Sequence, residues 1–425
     1  MAKLDNGPAR GTRDFPPAAV ARREAVISSI AESYASFGYR RVETPALESV
    51  ERLTGGQGGE NEKLIYKILK RGLPEHLPPG TVLSDLTDLA LRFDLTVPLT
   101  RFFANNHAQL PIPFRSLQIG SVWRAERPGQ GRYRQFTQCD IDVLGEPTVL
   151  AEAELLEATA AALIALFIEP ITVRLNDRRV LSSIALAAGV SGGTTAGYFV
   201  TLDKLDKIGW DAVGRELAER GFDARVAAST EELLGYLADS SSEGGMLDRL
   251  GDALPDLGVD VLNDLGQTAS ALERLSREHE GMTFVLDPTV VRGMGYYTGQ
   301  IFEITHPSSS SSIAGGGRYD DLIGRSLGRD VAACGISIGF ERVVDLARID
   351  PPDLGVAVLY EGEPSTDVLA AARAIRKLGK RAALVPRKKA TRQQLDSLYS
   401  EGYRAFVTFE DGRPATPRSL GPDSS

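Results

Sequence analysis

The apolar positions of this chain change period from segment to segment, and those changes divide it. Between Val20 and Phe37, apolar residues at Val26, Ile27, Ile30, Tyr34 and Phe37 keep helical spacing, and Gly38 supplies a stop. Arg41 to Leu47 then reads as a strand broken by Pro45. From Arg134 to Asp142 the pattern alternates. Arg134, Phe136, Gln138, Asp140 and Asp142 fall on one face of a strand, and Gln135, Thr137, Cys139 and Ile141 on the other. An Ala/Leu/Glu-rich run from Leu150 to Phe167 predicts a long helix. Residues 177–284 read as mostly helical, with polar breaks at residues 191–193 and 240–245. Asp350-Pro-Pro-Asp353 is a linker signal. Beyond it, strand Val356–Tyr360, helix Thr366–Leu378, strand Ala382–Val385, helix Arg392–Glu401 and strand Arg404–Phe409 alternate as a small α/β domain. From Asp411 the Gly/Pro/Ser-rich tail reads as disordered.

Composition narrows the class. At 425 residues, 42% hydrophobic and 25% charged, the chain has the balance of a globular protein of two or three domains. No apolar run reaches the length of a membrane span and no signal-peptide pattern opens the chain, so a cytoplasmic protein is expected. The two cysteines, Cys139 and Cys334, have no CxxC spacing and read as buried, inert thiols. The four histidines, His76, His107, His279 and His306, read as surface or structural. A net charge of −9 argues against a general nucleic-acid binder. Basic residues still cluster locally, at Arg132 and Arg134 and again between Lys377 and Arg392, where RNA contact competes with a merely solvated helix face.

The densest candidate chemistry lies at Trp123-Arg-Ala-Glu-Arg-Pro128 and the alternating strand after it. One face carries a guanidinium, an aromatic ring, an amide and two acids. Such a surface suits a nucleotide together with a small polar cation. A solvated, salt-bridged hairpin is the competing reading.

Arg124-x-Glu126, a loop and Arg134-x-Phe136 together resemble motif 2 of the class II aminoacyl-tRNA synthetases, and Gln138-Cys-Asp-Ile-Asp142 resembles its histidyl-tRNA synthetase version. Val291-Arg-Gly-Met-Gly-Tyr-Tyr-Thr298 and Ala314-Gly-Gly-Gly-Arg-Tyr-Asp320 are similar to that family's two histidine signatures. Gly335-Ile-Ser-Ile-Gly-Phe-Glu-Arg342 is similar to motif 3. Gly11-Thr-Arg-Asp-Phe15 and Arg92-Phe-Asp-Leu-Thr-Val-Pro98 also fit. Asn176-Asp-Arg-Arg179 and Leu202-Asp-Lys-Leu-Asp-Lys207 resemble the eukaryote-like and archaeal branch.

The resemblance implies an α/β (α+β) fold, with a class II antiparallel-sheet catalytic domain at 1–176 and 285–348. A helical insertion would occupy 177–284, and a shortened anticodon-binding-like α/β domain 354–425. It implies a homodimer through the motif 1-like segment around Pro45, with L-histidine, ATP, Mg²⁺ and tRNA-His as cofactors and partners. The implied catalytic residues are Arg292 and Arg124. Histidine would be held by Asp94, Leu95, Thr96, Arg124, Gln138, Asp142, Arg292, Tyr296 and Tyr297. ATP would be held by Arg124, Glu126, Phe136 and Arg342, and tRNA by Gln130 and Arg132; no protein metal site is implied. Two nearer readings stand beside these roles: Arg292 as an ion-pair partner, and Asp94 as a helix cap. Gly295 occupies a position where the family carries Asp, which removes one anchor from the arginine-bearing loop. The implied activity is histidine–tRNA ligation. The alternatives are a regulatory paralogue serving ATP phosphoribosyltransferase, or an enzyme activating histidine for another acceptor.

Overall fold

The computed structural model describes residues 6–55, 61–129, 131–238, 245–292, 295–349, 353–362, 366–389, 391–410, 413–414 and 416–421. Its main element is an eight-stranded sheet. In order across it lie Arg40–Arg41, Phe114–Trp123, Gln135–Leu144, Ala333–Gly339, Ala314–Arg318, Gln300–Thr305, Ile171–Asp177 and Met282–Leu286. The two outermost pairs are parallel and every pair between them is antiparallel.

Register explains where the site forms. In the central hairpin Ser116 pairs with Asp142, Gln118 with Asp140 and Val122 with Phe136. On the other side of the same strand Gly335 pairs with Asp142 and Ser337 with Asp140. Cys139 and Ile141, on the opposite face, are fully buried, so the strand presents its acids to one side and its core residues to the other. The next strand, Ala314–Arg318, contains three consecutive glycines, which a packed strand tolerates only where something approaches closely. Here a Cβ on Gly315 would lie 2.7 Å from Arg292 Nη1, and one on Gly317 would lie 2.9 Å from the Tyr297 ring.

The helix Pro17–Ser36 ends before Gly38, whose φ of 85° needs glycine. The strand expected over Arg41–Leu47 is instead two short strands, Arg40–Arg41 and Leu47–Ser49, which join different sheets on either side of Pro45. Helix Leu150–Ala165 packs on Ala333–Gly339 and on helix Val259–Glu278. Between Ile171–Asp177 and Met282–Leu286 the described chain is helical, from Arg178–Ala187 to Val259–Glu278. These helices are not a separate body. Tyr198, Phe199, Leu202, Val213 and Leu217 share a core with Val290, Val291 and Ile301, and Ser29–Ala347 forms one compact unit.

The second compact unit joins Asp14–Ser28 to the region from Arg348 onward. Strands Ala382–Pro386, Val356–Tyr360 and Ala405–Glu410 are parallel, with helices Thr366–Lys377 and Thr391–Glu401 between them. The tail departs from expectation. Arg418–Ser419 pairs antiparallel with Ala405–Phe406, and Leu420 is 5% exposed in a cluster with Leu398 and Phe406. One apolar side chain thus docks a segment whose Gly/Pro-rich composition reads as disordered. Among the described residues no single helix is long and apolar enough to cross a membrane.

Candidate active site

Two adjoining cavities open on the sheet. The smaller, about 450 Å³, is lined by Asp94, Thr96, Gln138, Asp140, Asp142, Tyr296, Tyr297 and Tyr319. The larger, about 920 Å³, is lined by Glu126, Arg132, Phe136 and Arg342 among others. Arg124 and Arg292 border both cavities, as do Gln138, Gly315 and Ser337.

The smaller cavity is acidic. Asp94, Asp140 and Asp142 are 2%, 3% and 2% exposed. Asp94 Oδ1 accepts from the Val97 amide at 3.0 Å, at the start of helix Thr96–Asn106. It therefore satisfies one of the helix's free amides while still lining the cavity. Asp142 Oδ1 accepts the Tyr319 hydroxyl at 2.6 Å. Burial pushes the Asp142 carboxyl up to about 7, against the opposing Tyr319 and Ser116 hydrogen bonds. Burial and then the neighbouring Asp142 charge raise Asp140 well above the usual carboxylate range. Gln138 Nε2 donates to Ser337 Oγ at 2.9 Å.

Three polar atoms in this region are buried without a partner: Gln138 Oε1, Asp140 Oδ1 and Arg292 Nε. Orphaned buried groups are costly, so a function is the natural place to look for their partners. The residues that carry the two orphan acceptors line the acidic cavity, and Arg292, which carries the orphan donor, borders both cavities.

The boundary is held firmly. Arg124 Nε donates to the Phe93 carbonyl at 3.2 Å, and its guanidinium lies 4.3 Å from the Phe93 ring and 5.1 Å from the Phe136 ring. Arg292 Nη1 donates to Glu303 Oε1 at 2.7 Å. Burial alone would lower the Arg292 pKa, but Tyr297, Glu303 and Asp203 outweigh it and the guanidinium stays charged. In the larger cavity Arg342 Nη1 donates to the Ser312 carbonyl at 2.7 Å. Burial, then Arg132 and Arg292, lower its pKa. Arg132 has 61% of its side chain exposed and lies 3.7 Å from Glu126.

Most of the sequence-derived site residues therefore converge. Leu95 does not line the cavity: it is 1% exposed in the core, and its carbonyl accepts from Gln118 Nε2. Gln130 lies outside the described residues. Arg134 precedes the strand and turns away from its face. Its Nε donates to the Glu126 carbonyl, and its amide to Gly11. That contact ties the Gly11-Thr-Arg segment to the hairpin, where Arg13 also meets Glu341 at 2.5 Å. Asp94 accepts from a helix-start amide and also lines the acidic cavity, and Arg292 does have an ion-pair partner. None of the four histidines lines either cavity. Sequence reasoning missed Tyr319, Ser337 and Glu303. Tyr319 lay inside a recognised signature, but its partner is 177 residues away.

An antiparallel sheet with paired arginines between an acidic pocket and a nucleotide-sized cavity is the catalytic domain of a class II aminoacyl-tRNA synthetase. The chain belongs to the histidyl-tRNA synthetase family, whose model, described as Histidyl-tRNA synthetase, matches residues 11–343. It is similar to a Histidine--tRNA ligase of Leifsonia xyli subsp. xyli, 46% identical over 98% of each chain. It is also similar to a Probable histidine--tRNA ligase of Tropheryma whipplei, 41% identical over 96% of each. The crystal structure of histidyl-tRNA synthetase from Nostoc sp. PCC 7120 superposes with a TM-score of 0.74 at 26% identity, covering 96% of this chain and 92% of that one. A Bacillus halodurans C structure, described as an ATP phosphoribosyltransferase regulatory subunit/histidyl-tRNA synthetase, shares the fold, with a TM-score of 0.73 at 20% identity over 96% of this chain and 98% of that one. The expected eukaryote-like or archaeal branch is not supported. The relatives at 46% and 41% are bacterial, whereas a Histidine--tRNA ligase of Aeropyrum pernix is 36% identical over 80% of this chain and 73% of that one. The two short segments that suggested the branch carry too few residues to outweigh full-length identity.

Proposed function

We propose that the protein is a histidine–tRNA ligase. It activates L-histidine with ATP to histidyl-adenylate and transfers the acyl group to the 3′ end of tRNA-His. One observation carries this reading: the acidic pocket holds orphan acceptors, and the boundary it shares with the larger cavity holds arginines with a free donor. A zwitterionic amino acid satisfies both at once, ammonium inward and carboxylate outward.

The chemistry needs no side-chain nucleophile. The histidine carboxylate attacks the α-phosphorus of ATP, forming the new O–P bond as pyrophosphate leaves. The obstacle is bringing an anion to a polyanion, so the protein's work is positioning and charge stabilisation. Arg124 and Arg292 stand where carboxylate and α-phosphate meet. Asp94, Thr96 and Gln138 receive the ammonium group; Asp142 and Tyr297, with Tyr296 beside them, receive the imidazole. On the nucleotide side Phe136 stacks on adenine, Glu126 accepts from its amino group, and Arg342 holds the far end. Mg²⁺ would enter as part of the Mg-ATP substrate and offset triphosphate charge.

Arg132, exposed at the rim of the nucleotide cavity, and Gln130, two residues earlier in the sequence, contact the acceptor end of the tRNA. In this reading the catalytic segments are 1–176 and 285–348, the helices of 177–284 are an insertion packed on that core, and 354–425 is an anticodon-binding-like domain. The enzyme works as a cytoplasmic homodimer. The regulatory reading is not favoured, because Arg124, Glu126, Arg292 and Arg342 all line the cavities. Charging of a tRNA-His transcript with labelled histidine tests the proposal. Stable histidyl-tRNA is expected, and histidine binding without charging would refute it.

A further inference from the structure

Arg292 lies outside any strand or helix, so its own segment does little to aim it. The aim comes from the sheet. Arg174, Glu303 and Gly315 are register partners on three neighbouring strands and form one row. Gly315 leaves the space in which the Arg292 guanidinium lies, 2.7 Å from where a Cβ would stand. Glu303, next in the row, accepts from Arg292 Nη1 at 2.7 Å and is 19% exposed. Its other oxygen is 4.0 Å from Arg174 Nη1. Arg174 is in turn fixed by Asp287 at 2.7 Å and Asp206 at 2.7 Å. The result is a line of alternating charges that ends in two carboxylates, one of them on the helix Leu205–Glu219.

We infer that Glu303 is a positioning residue: it holds one end of the Arg292 guanidinium so that the free Nε faces the point where carboxylate and α-phosphate react. This inference rests on the ligase reading. A carboxylate bonded to Nη1 leaves Nε as the donor without a partner. A guanidinium held at one end loses less orientational freedom when it meets the transition state. Gly295, in an exposed turn, offers Arg292 no side-chain anchor from its own loop.

The test is a double-mutant cycle in histidine-dependent ATP–pyrophosphate exchange, using the full chain and the variants E303Q, R292A and E303Q/R292A. E303Q is expected to lower kcat about 10- to 100-fold, with KM for ATP and histidine within about twofold, as for a misaimed group that acts in the transition state. In the R292A background the same change is expected to cost less than about threefold, because residues that act as a unit are non-additive. A full further loss in that background, or a raised KM at unchanged kcat, overturns the inference. If E303Q melts below the assay temperature, E303D keeps the charge and shortens the reach by one methylene. It should fold and still be slowed, and wild-type activity in E303D overturns the inference. A wild-type protein that fails to exchange with histidine overturns the ligase reading itself. Active wild type with additive variants overturns only the role of Glu303.

Discussion

Replacing Asp142 by Asn separates two effects that the structure couples at one atom. Asp142 is fully enclosed, with Tyr319 donating to Oδ1 at 2.6 Å and Ser116 facing Oδ2 at 3.5 Å. Its folded-state pKa of about 7 lies above the ordinary aspartate value of 3.8. The folded protein therefore holds this proton more tightly than the unfolded chain does. The ionisation penalty is absent below about pH 4, grows as pH rises towards 7 and is complete above that. Raising the carboxyl from 3.8 to about 7 corresponds to about 4 kcal/mol at most. Asn keeps an oxygen for Tyr319 and cannot ionise. The unliganded variant should match wild type near pH 4 and melt at higher temperature at pH 8. Histidine binding moves the other way. Losing a charge-assisted acceptor for the imidazole costs about 1.5–3 kcal/mol, or roughly 10- to 150-fold in Kd. ATP, in the neighbouring cavity, should bind within about twofold of wild type. Calorimetric melting at pH 4 and 8 and titration with each ligand measure all three. A variant less stable than wild type at pH 8, or one that loses histidine and ATP affinity equally, refutes the reasoning.

The remaining predictions address the boundary, the floor and the rim of the site. Arg292→Ala should slow pyrophosphate exchange by about 10²-fold or more, as expected when a transition-state charge contact is lost; an unchanged rate in a folded variant removes Arg292 from catalysis. Gly335→Ala would drive a Cβ into Asp142 Oδ1, so histidine affinity should fall while ATP titration stays near wild type; unchanged histidine affinity contradicts the packing described. Arg132→Ala should impair tRNA charging and spare adenylate formation, read by comparing the two rates on one preparation; equal losses would place Arg132 in the activation step.

The sequence made local pattern legible and left distant pairing hidden. The alternation of Phe136, Gln138, Asp140 and Asp142 required only a period of two, and those residues do face one side. The C-terminal alternation likewise matched the observed elements to within a residue or two. Arg134 failed the same pattern because the strand begins one residue later and its guanidinium is drawn to the Glu126 and Arg10 carbonyls. Leu95 was carried along by its neighbours Asp94 and Thr96, but its side chain is core. The partners were not readable: Tyr319 and Ser337 lie 177 and 199 residues from Asp142 and Gln138, and Glu303, although only 11 residues from Arg292, meets it beside the strand that carries Gly315. Register decides that Ser337 faces Asp140 and sets Glu303 beside Gly315, where Arg292 reaches it. The docked tail escaped notice for a related reason. One buried Leu420 outweighs the loop-like composition around it, and its contact with Phe406 exists only once the sheet has formed.

The central claim is that two cavities joined at Arg124 and Arg292 bind histidine and ATP for reaction with each other. ATP–pyrophosphate exchange measured in turn with each of the standard amino acids tests it most directly. The account predicts exchange with histidine, and rates lower by about 10⁴-fold for amino acids that cannot pair with the buried acids. Exchange with another amino acid at a comparable rate, or none with histidine, would contradict it.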